Sequence, residues 1–165
     1  MNSTEKKKMN DALGPLARIN WEIGEFPARA KATAAHWTAA AALPGNAAKK
    51  KSLTSAAVTL ADVVKRTKVV AKDTAPLMAE KHLSDYTGTA QQYRDKVVAK
   101  RLASLKALDL KAQRLIAEVA AIEDEPFKFR PKQDPPSKVN VVKTMEHLKA
   151  FSDNYNELRT RLANL

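Results

Sequence analysis

The chain has no cysteine among its 165 residues. That absence excludes a disulfide scaffold, a thiol nucleophile and any zinc site with Cys ligands. Glycine is nearly as scarce: Gly14, Gly24, Gly45 and Gly88 stand too far apart to form G-x-G-x-x-G or G-x-x-x-x-G-K-S/T. H-E-x-x-H and G-x-S-x-G are missing as well, which removes the commonest nucleotide-binding, metalloprotease and hydrolase signatures. Large apolar side chains are also few. Leu, Ile, Val and Phe total 35, whereas Ala supplies 29 of the 73 hydrophobic residues. That is close to the roughly 20 % below which a highly charged chain tends to stay unfolded, so the core must be thin and packed through small side chains. No run approaches the roughly 18 apolar residues that span a bilayer. The basic run Lys6, Lys7, Lys8 is followed by Asn10, Asp11 and Arg18 instead of the apolar segment of a secretory signal. The expected location is cytoplasmic; signal-independent export would leave no mark in the sequence.

What the sequence does contain is helical patterning. Nothing alternates apolar and polar residues long enough for a sheet. Gly14-Pro15 breaks a first helix, and residues 1–8 read as a mobile basic N-terminus. Leu16, Ile19 and Ile23 line a second piece, and Pro27 suits the first position of the next helix. Residues 28–48 hold 11 alanines, a composition that favours helix and lets a neighbouring helix approach closely. Pro44-Gly45-Asn46 is a turn. A helix over about 52–71 carries Leu53, Ala57, Leu60, Val64 and Ala71 at helical spacing, and Asp73, Thr74 and Pro76 mark the start of a short one reaching about residue 86. Thr89 with Gln92 has the form of a capping box. From there to about residue 122 nothing breaks the helix, and Val98, Leu102, Leu105, Leu108, Ala112, Leu115, Val119 and Ile122 make a near-heptad seam.

Four prolines in eleven positions make 123–138 an extended linker, with Phe127 and Phe129 able to pin it to the bundle. Glu123, Asp124 and Glu125 sit where the helix dipole disfavours acids, so they help end the long helix or meet a basic element. The last helix, starting at residue 137 or 140, carries Val141, Met145, Leu148, Phe151, Tyr155, Leu158, Leu162 and Leu165 on or beside one stripe. The expected fold is a single all-α domain over 1–165. It is an elongated antiparallel bundle of five or six helices, with the long helix at about 89–122 paired with the C-terminal helix. The seams at 98–122 and 141–165 could equally pair between copies of the chain.

The strongest functional lead is charge. The formal net charge is +11, distributed as +4 over 1–50, +4 over 51–100 and +3 over 101–165. Such a field attracts polyanions without choosing among them. Lys49, Lys50 and Lys51 sit at a helix N-terminus, where cations cost a few tenths of a kcal/mol or more, so folding does not explain them. With Lys65, Arg66 and Lys68 they form one basic stripe. Lys100, Arg101 and Lys111 belong to a second, on the long helix with Arg94, Lys96, Lys106 and Arg114. Chemistry-bearing sets are weaker. Glu22 and Glu25, three apart beside Trp21 and Phe26, could support general acid–base work, against the plainer reading of a solvated face. His36, His82 and His147 lie on different helices without the i, i+3 or i, i+4 Glu–His pairing of bundle metal sites, so no metal and no cofactor is expected. Trp21 and Trp37 read as core anchors.

The expected function is accordingly a non-enzymatic interaction or assembly module that engages an acidic protein partner through basic helix faces. The alternatives are nucleic-acid binding through the phosphate backbone, attachment to an anionic membrane or granule surface through an exposed apolar helix face, and an enzyme with a noncanonical helical site.

Overall fold

The structure is a computed structural model that describes residues 1–121 and 136–165. In chain order these form α1 (Ser3–Leu13), α2 (Pro15–Ala41), a 3₁₀ turn (Pro44–Lys49), α3 (Lys50–Met78), α4 (Glu80–Ser84), α5 (Ala90–Tyr93), a π-helical segment (Arg94–Val98), α6 (Ala99–Arg101), α7 (Ala103–Ala121) and α8 (Pro136–Ala163). No strand occurs among the described residues. The protein is an all-α helical bundle.

Four long helices close into a ring. The contacts run from α2 to α3, α3 to α7, α7 to α8 and α8 back to α2. Side-chain ties show α2 with α8, and α3 with α7, to be antiparallel. Arg18 and Arg29 of α2 reach Glu157 and Asn140 of α8. Asp62 and Asp73 of α3 meet Lys111 of α7 and Arg101 of α6. This is the up-down-up-down arrangement of a four-helix bundle. The long helix does lie along α8, as its seam predicts, but α8 makes its most extensive contact with α2. Ala30 and Ala40 are buried on α2, and small side chains let helix axes come close. α1 packs on α8, and Lys6 within residues 1–8 donates from Nζ to the Ser84 carbonyl at 3.1 Å.

Several helix boundaries differ from the sequence expectation. Pro27 does not start a helix but lies inside α2. Its missing N–H leaves the Ile23 carbonyl without a helical donor, a local cost of about 3 kcal/mol, yet Ile23, Phe26 and Ala30 are all buried around it. Tertiary packing outweighs the local penalty. The helix start expected at Asp73, Thr74 and Pro76 is the last two turns of α3. Thr74 is buried and its hydroxyl donates to the Val70 carbonyl at 2.8 Å, so it bonds back into its own helix instead of capping a new one. The capping box at Thr89 and Gln92 is present, and the chain stays helical from Ala90 to Ala121. It does so through one wide π turn and a loosened turn at Leu102, bridged by Leu102 N–H to the Val98 carbonyl and Lys106 N–H to the Leu102 carbonyl. The proline-rich segment lies outside the described residues as far as 135, with Glu123, Asp124, Glu125, Phe127 and Phe129. The linker expected to reach 138 ends sooner, because Pro136 takes the first turn of α8, the helical position that tolerates proline.

One cluster of buried residues fills the ring, with Trp37, Leu60, Leu105, Leu108, Leu115 and Leu158 fully enclosed. Of the seam residues, Val98, Leu105, Leu108, Ala112, Leu115, Val141, Leu148, Phe151, Tyr155, Leu158 and Leu162 are buried, Leu102, Val119 and Met145 are half-buried, and Leu165 is exposed; Ile122 lies outside the described residues. Asp109 is the one charged residue buried among the described residues. It is 3 % exposed between α7 and α8, with Gln113 Nε2 donating to Oδ2 at 2.8 Å. Burial pushes its carboxyl above the ordinary value of 3.8, only partly offset by the Ser152 hydroxyl and Arg159 facing it. Below 3.8 the carboxyl is protonated in both folded and unfolded chains. As pH rises, the unfolded chain releases its proton first, so the fold loses stability until the buried group also ionises. Asp109→Asn should remove that loss: in urea denaturation it gains on the parent as pH rises from below 3.8 to neutrality. A constant difference across that range would contradict the assignment.

Candidate polyanion-binding faces

Because α3 is covered by α2 on one flank and α7 on the other, its third side has nothing to bury. The residues there are Lys50, Lys51, Thr54, Ser55, Val58, Ala61, Lys65, Lys68, Val69 and Lys72, all exposed. Every fully exposed charged side chain on α3 is therefore a lysine. At 1.5 Å per residue the stretch from Lys51 to Lys72 extends about 32 Å. The two acids of α3, Asp62 and Asp73, are half-buried and lie on the side toward α7. Lys49 stands half-buried at the N-cap of the helix, which has no side-chain cap.

The other basic residues singled out in the sequence have different roles. Arg66 is not part of the outward stripe. It binds Asp62 at 3.0 Å, and Lys111 reaches the same carboxylate oxygen from α7 at 2.7 Å. Those two cations, Lys111 foremost, hold the Asp62 carboxyl below its ordinary value. Arg101 donates to the Asp73 carbonyl at 3.3 Å. Arg94 pairs with Asp95 and Arg114 with Glu118. The basic set on the long helix therefore divides: Arg101 and Lys111 tie it to α3, whereas Lys96 and Lys100 remain exposed.

Glu22 has a partner that sequence spacing could not reveal. Its Oε2 lies 2.6 Å from His147 Nδ1 of α8, with both side chains largely buried at the α2–α8 contact. Glu25, three residues on, is exposed, so the two carboxylates occupy different environments. Trp37 is the core anchor expected, but Trp21 is not. It is 60 % exposed, and its ring stands edge-on to His147 at 5.9 Å. At its position on α2 the indole falls on the rim of the α8 contact, where only one edge finds cover. His82 bonds to Tyr93 through Nδ1 at 2.9 Å. Among the described residues no three His, Asp or Glu side chains converge on a position that could hold a metal ion.

No family model, curated protein or solved structure matches this chain. Its function must be argued from the faces themselves. Among the described residues no helix is long and apolar enough to cross a membrane, and the apolar stripe of α8 (Val141, Leu148, Phe151, Leu158) is buried. What sequence reading missed is Lys72 and the partner of His147. Lys72 was legible, since it lies four positions after Lys68 and so on the same face. The partner was not, because it is 125 residues away.

Two stability measurements check these pairings. Asp62 has a depressed pKa, so its contribution is present above 3.8 and lost as pH falls through the lower folded-state value. Asp62→Asn should be less stable than the parent at neutral pH, with the deficit closing in acid and shrinking in high salt. In a double-mutant cycle, Glu22→Gln and His147→Gln should couple by about 1 kcal/mol or more. A cycle that closes at zero would show that the contact contributes nothing.

Proposed function

We propose that the protein is a non-enzymatic interaction module whose α3 face docks an acidic, partly apolar protein surface. The observation that carries this reading is the single-sign composition of that face: five exposed lysines, Lys50, Lys51, Lys65, Lys68 and Lys72, with the two acids of the helix, Asp62 and Asp73, only partly exposed on the side toward α7. A solvated face needs charge but does not need one sign, and mixed signs are the usual solution. The exposed faces of α2 and α8 have mixed signs, with Glu25 beside Arg18 and Lys31, and Glu146 and Asp153 beside Lys143 and Lys149. On α3 the like charges repel, and Lys50 and Lys51 also oppose the helix dipole. An acidic partner relieves both costs.

Two features favour a protein over nucleic acid. Val58 and Val69 are more than half exposed within the lysine stripe, which fits the apolar positions of an amphipathic acidic helix. The stripe also has no arginine and no aromatic residue, the side chains that grip phosphates bidentately or stack on bases.

The reading predicts that a nuclease-treated lysate of the native host yields an acidic protein retained by the chain. The triple variant Lys65→Glu, Lys68→Glu, Lys72→Glu should lose that partner by at least about 100-fold in affinity, since each reversal removes an attraction and adds a repulsion. Val58→Ser with Val69→Ser should weaken it by about tenfold. All five positions are exposed, so unfolding should leave both variants near parental stability. Retention that vanishes with nuclease and ignores the valine changes would place nucleic acid on this face instead.

A further inference from the structure

We infer that the cleft between α4 and the π-helical segment is a separate binding site for a phosphate monoester, with an apolar body attached to the phosphate. The cleft has a volume of about 510 Å³ and is lined by Lys96, Lys100 and Arg101 on one wall and by His82 and Tyr86 on the other. Asp85 is its one acid, so three fixed cations face a single carboxylate.

The two walls are fixed by different means. On the first, Lys96 and Lys100 stand four positions apart on one side of the helical stretch that includes the π turn. π turns commonly mark functional positions in helices. The guanidinium of Arg101 is anchored by its bond to the Asp73 carbonyl, which holds its charge beside the cleft without neutralising it. On the second wall, the fully buried Tyr93 sets the ring of His82. Its phenol, which burial keeps protonated, must place a hydrogen on an acceptor, and His82 Nδ1 is 2.9 Å away. In the tautomer that accepts this bond, the imidazole's own proton sits on Nε2. Tyr86 packs edge-on to Tyr93 at 5.0 Å. It keeps that place because residue 88 is glycine: a Cβ there would come within 2.7 Å of the Tyr86 ring.

The donor set is thus two mobile ammonium groups, one anchored guanidinium and one oriented imidazole. It can supply more charge-assisted bonds than a carboxylate's two oxygens use, and it suits the three terminal oxygens of a phosphate monoester. Tyr86 and Val97 give the rest of the ligand an apolar surface at the edge of the cleft. This site does not depend on the α3 face: none of the five stripe lysines lines it.

The test is titration of the full chain with phenyl phosphate, followed by NMR of His82 and of the Val97 and Lys100 amides, with calorimetry for affinity. Saturable binding at least about tenfold tighter than for benzoate is expected, since a planar monoanion with two oxygens forfeits at least one charge-assisted bond. Lys96→Gln with Lys100→Gln, both exposed, should weaken phenyl phosphate by about tenfold or more, whereas Lys65→Glu, Lys68→Glu, Lys72→Glu should leave it unchanged. Binding to vesicles containing phosphatidic acid, lost in the Lys96 and Lys100 variant, would assign the phosphate to a lipid. Binding of phenyl phosphate without the vesicles would assign it to a free metabolite. Equal affinity for benzoate, no saturation in the millimolar range, or indifference to the Lys96 and Lys100 changes would overturn the inference.

Discussion

The contact between α2 and α8 holds the bundle closed, and the rest of the architecture depends on it. A chain with so few large apolar residues cannot support a thick core, so its helices must come close enough for small side chains to exclude water. The alanines of α2 make that approach possible. The polar ties of the same interface fix its register. The Thr33 and Thr144 hydroxyls share a buried hydrogen bond at 2.9 Å, and Glu22 holds His147. Burying four polar groups in a thin core is acceptable only because each has its partner. Once α8 is placed there, α7 and α3 complete the ring, and one side of α3 is left without a neighbour.

That vacancy explains the division among the cations. The lysines on the outer side of α3 point away from the neighbouring helices, whereas Arg66 and Lys111, turned toward the seam between α3 and α7, converge on Asp62. The Asp62 cluster is more than a third exposed, so water screens it and its contribution to stability is small. Its importance is geometric: it fixes which basic groups remain outside. Lys65, Lys68 and Lys72 each lie within about a Debye length of the next at physiological salt, whereas Lys50 and Lys51 stand about 21 Å further along the helix. The first three act as a line of charge whose field reinforces itself instead of averaging out against mixed signs.

Much of the fold was readable because its signals are local or periodic. The capping box at Thr89 and Gln92, the break at Gly14-Pro15, the turn at Pro44 and the apolar stripes of α7 and α8 each depend on residues a few positions apart. The misplaced boundaries share one cause. Pro27, Thr74 and Pro76 carry local signals for a helix start, and each was overridden by burial of residues on either side of it, which a local reading does not weigh. The site residues followed the same rule. Lys65, Lys68 and Lys72 share a face by spacing alone. By contrast, the assignment of Arg66 and Lys111 to Asp62, of Glu22 to His147, and of His82 to the cleft needed the tertiary arrangement. Charge counting found the basic character but not which charges were already used.

The α3 face and the π-segment cleft differ in what they demand of a ligand, and that difference follows from how each is built. The stripe is long, flexible at its Nζ ends and uniform, so it favours extent and charge density over shape. The cleft combines mobile lysines with two groups held in place from behind, Arg101 by a backbone carbonyl and His82 by a buried phenol. Fixed donors lose little freedom on binding and so contribute more of their interaction energy to affinity. Orientation costs are prepaid in the core: Tyr93 is fully buried and gives up solvation of its hydroxyl to hold one imidazole. A fold short of large apolar residues would gain more from a phenylalanine at that position. That the chain carries a tyrosine there, bonded to a histidine at the surface, is the arrangement expected where core stability is exchanged for the placement of a binding group.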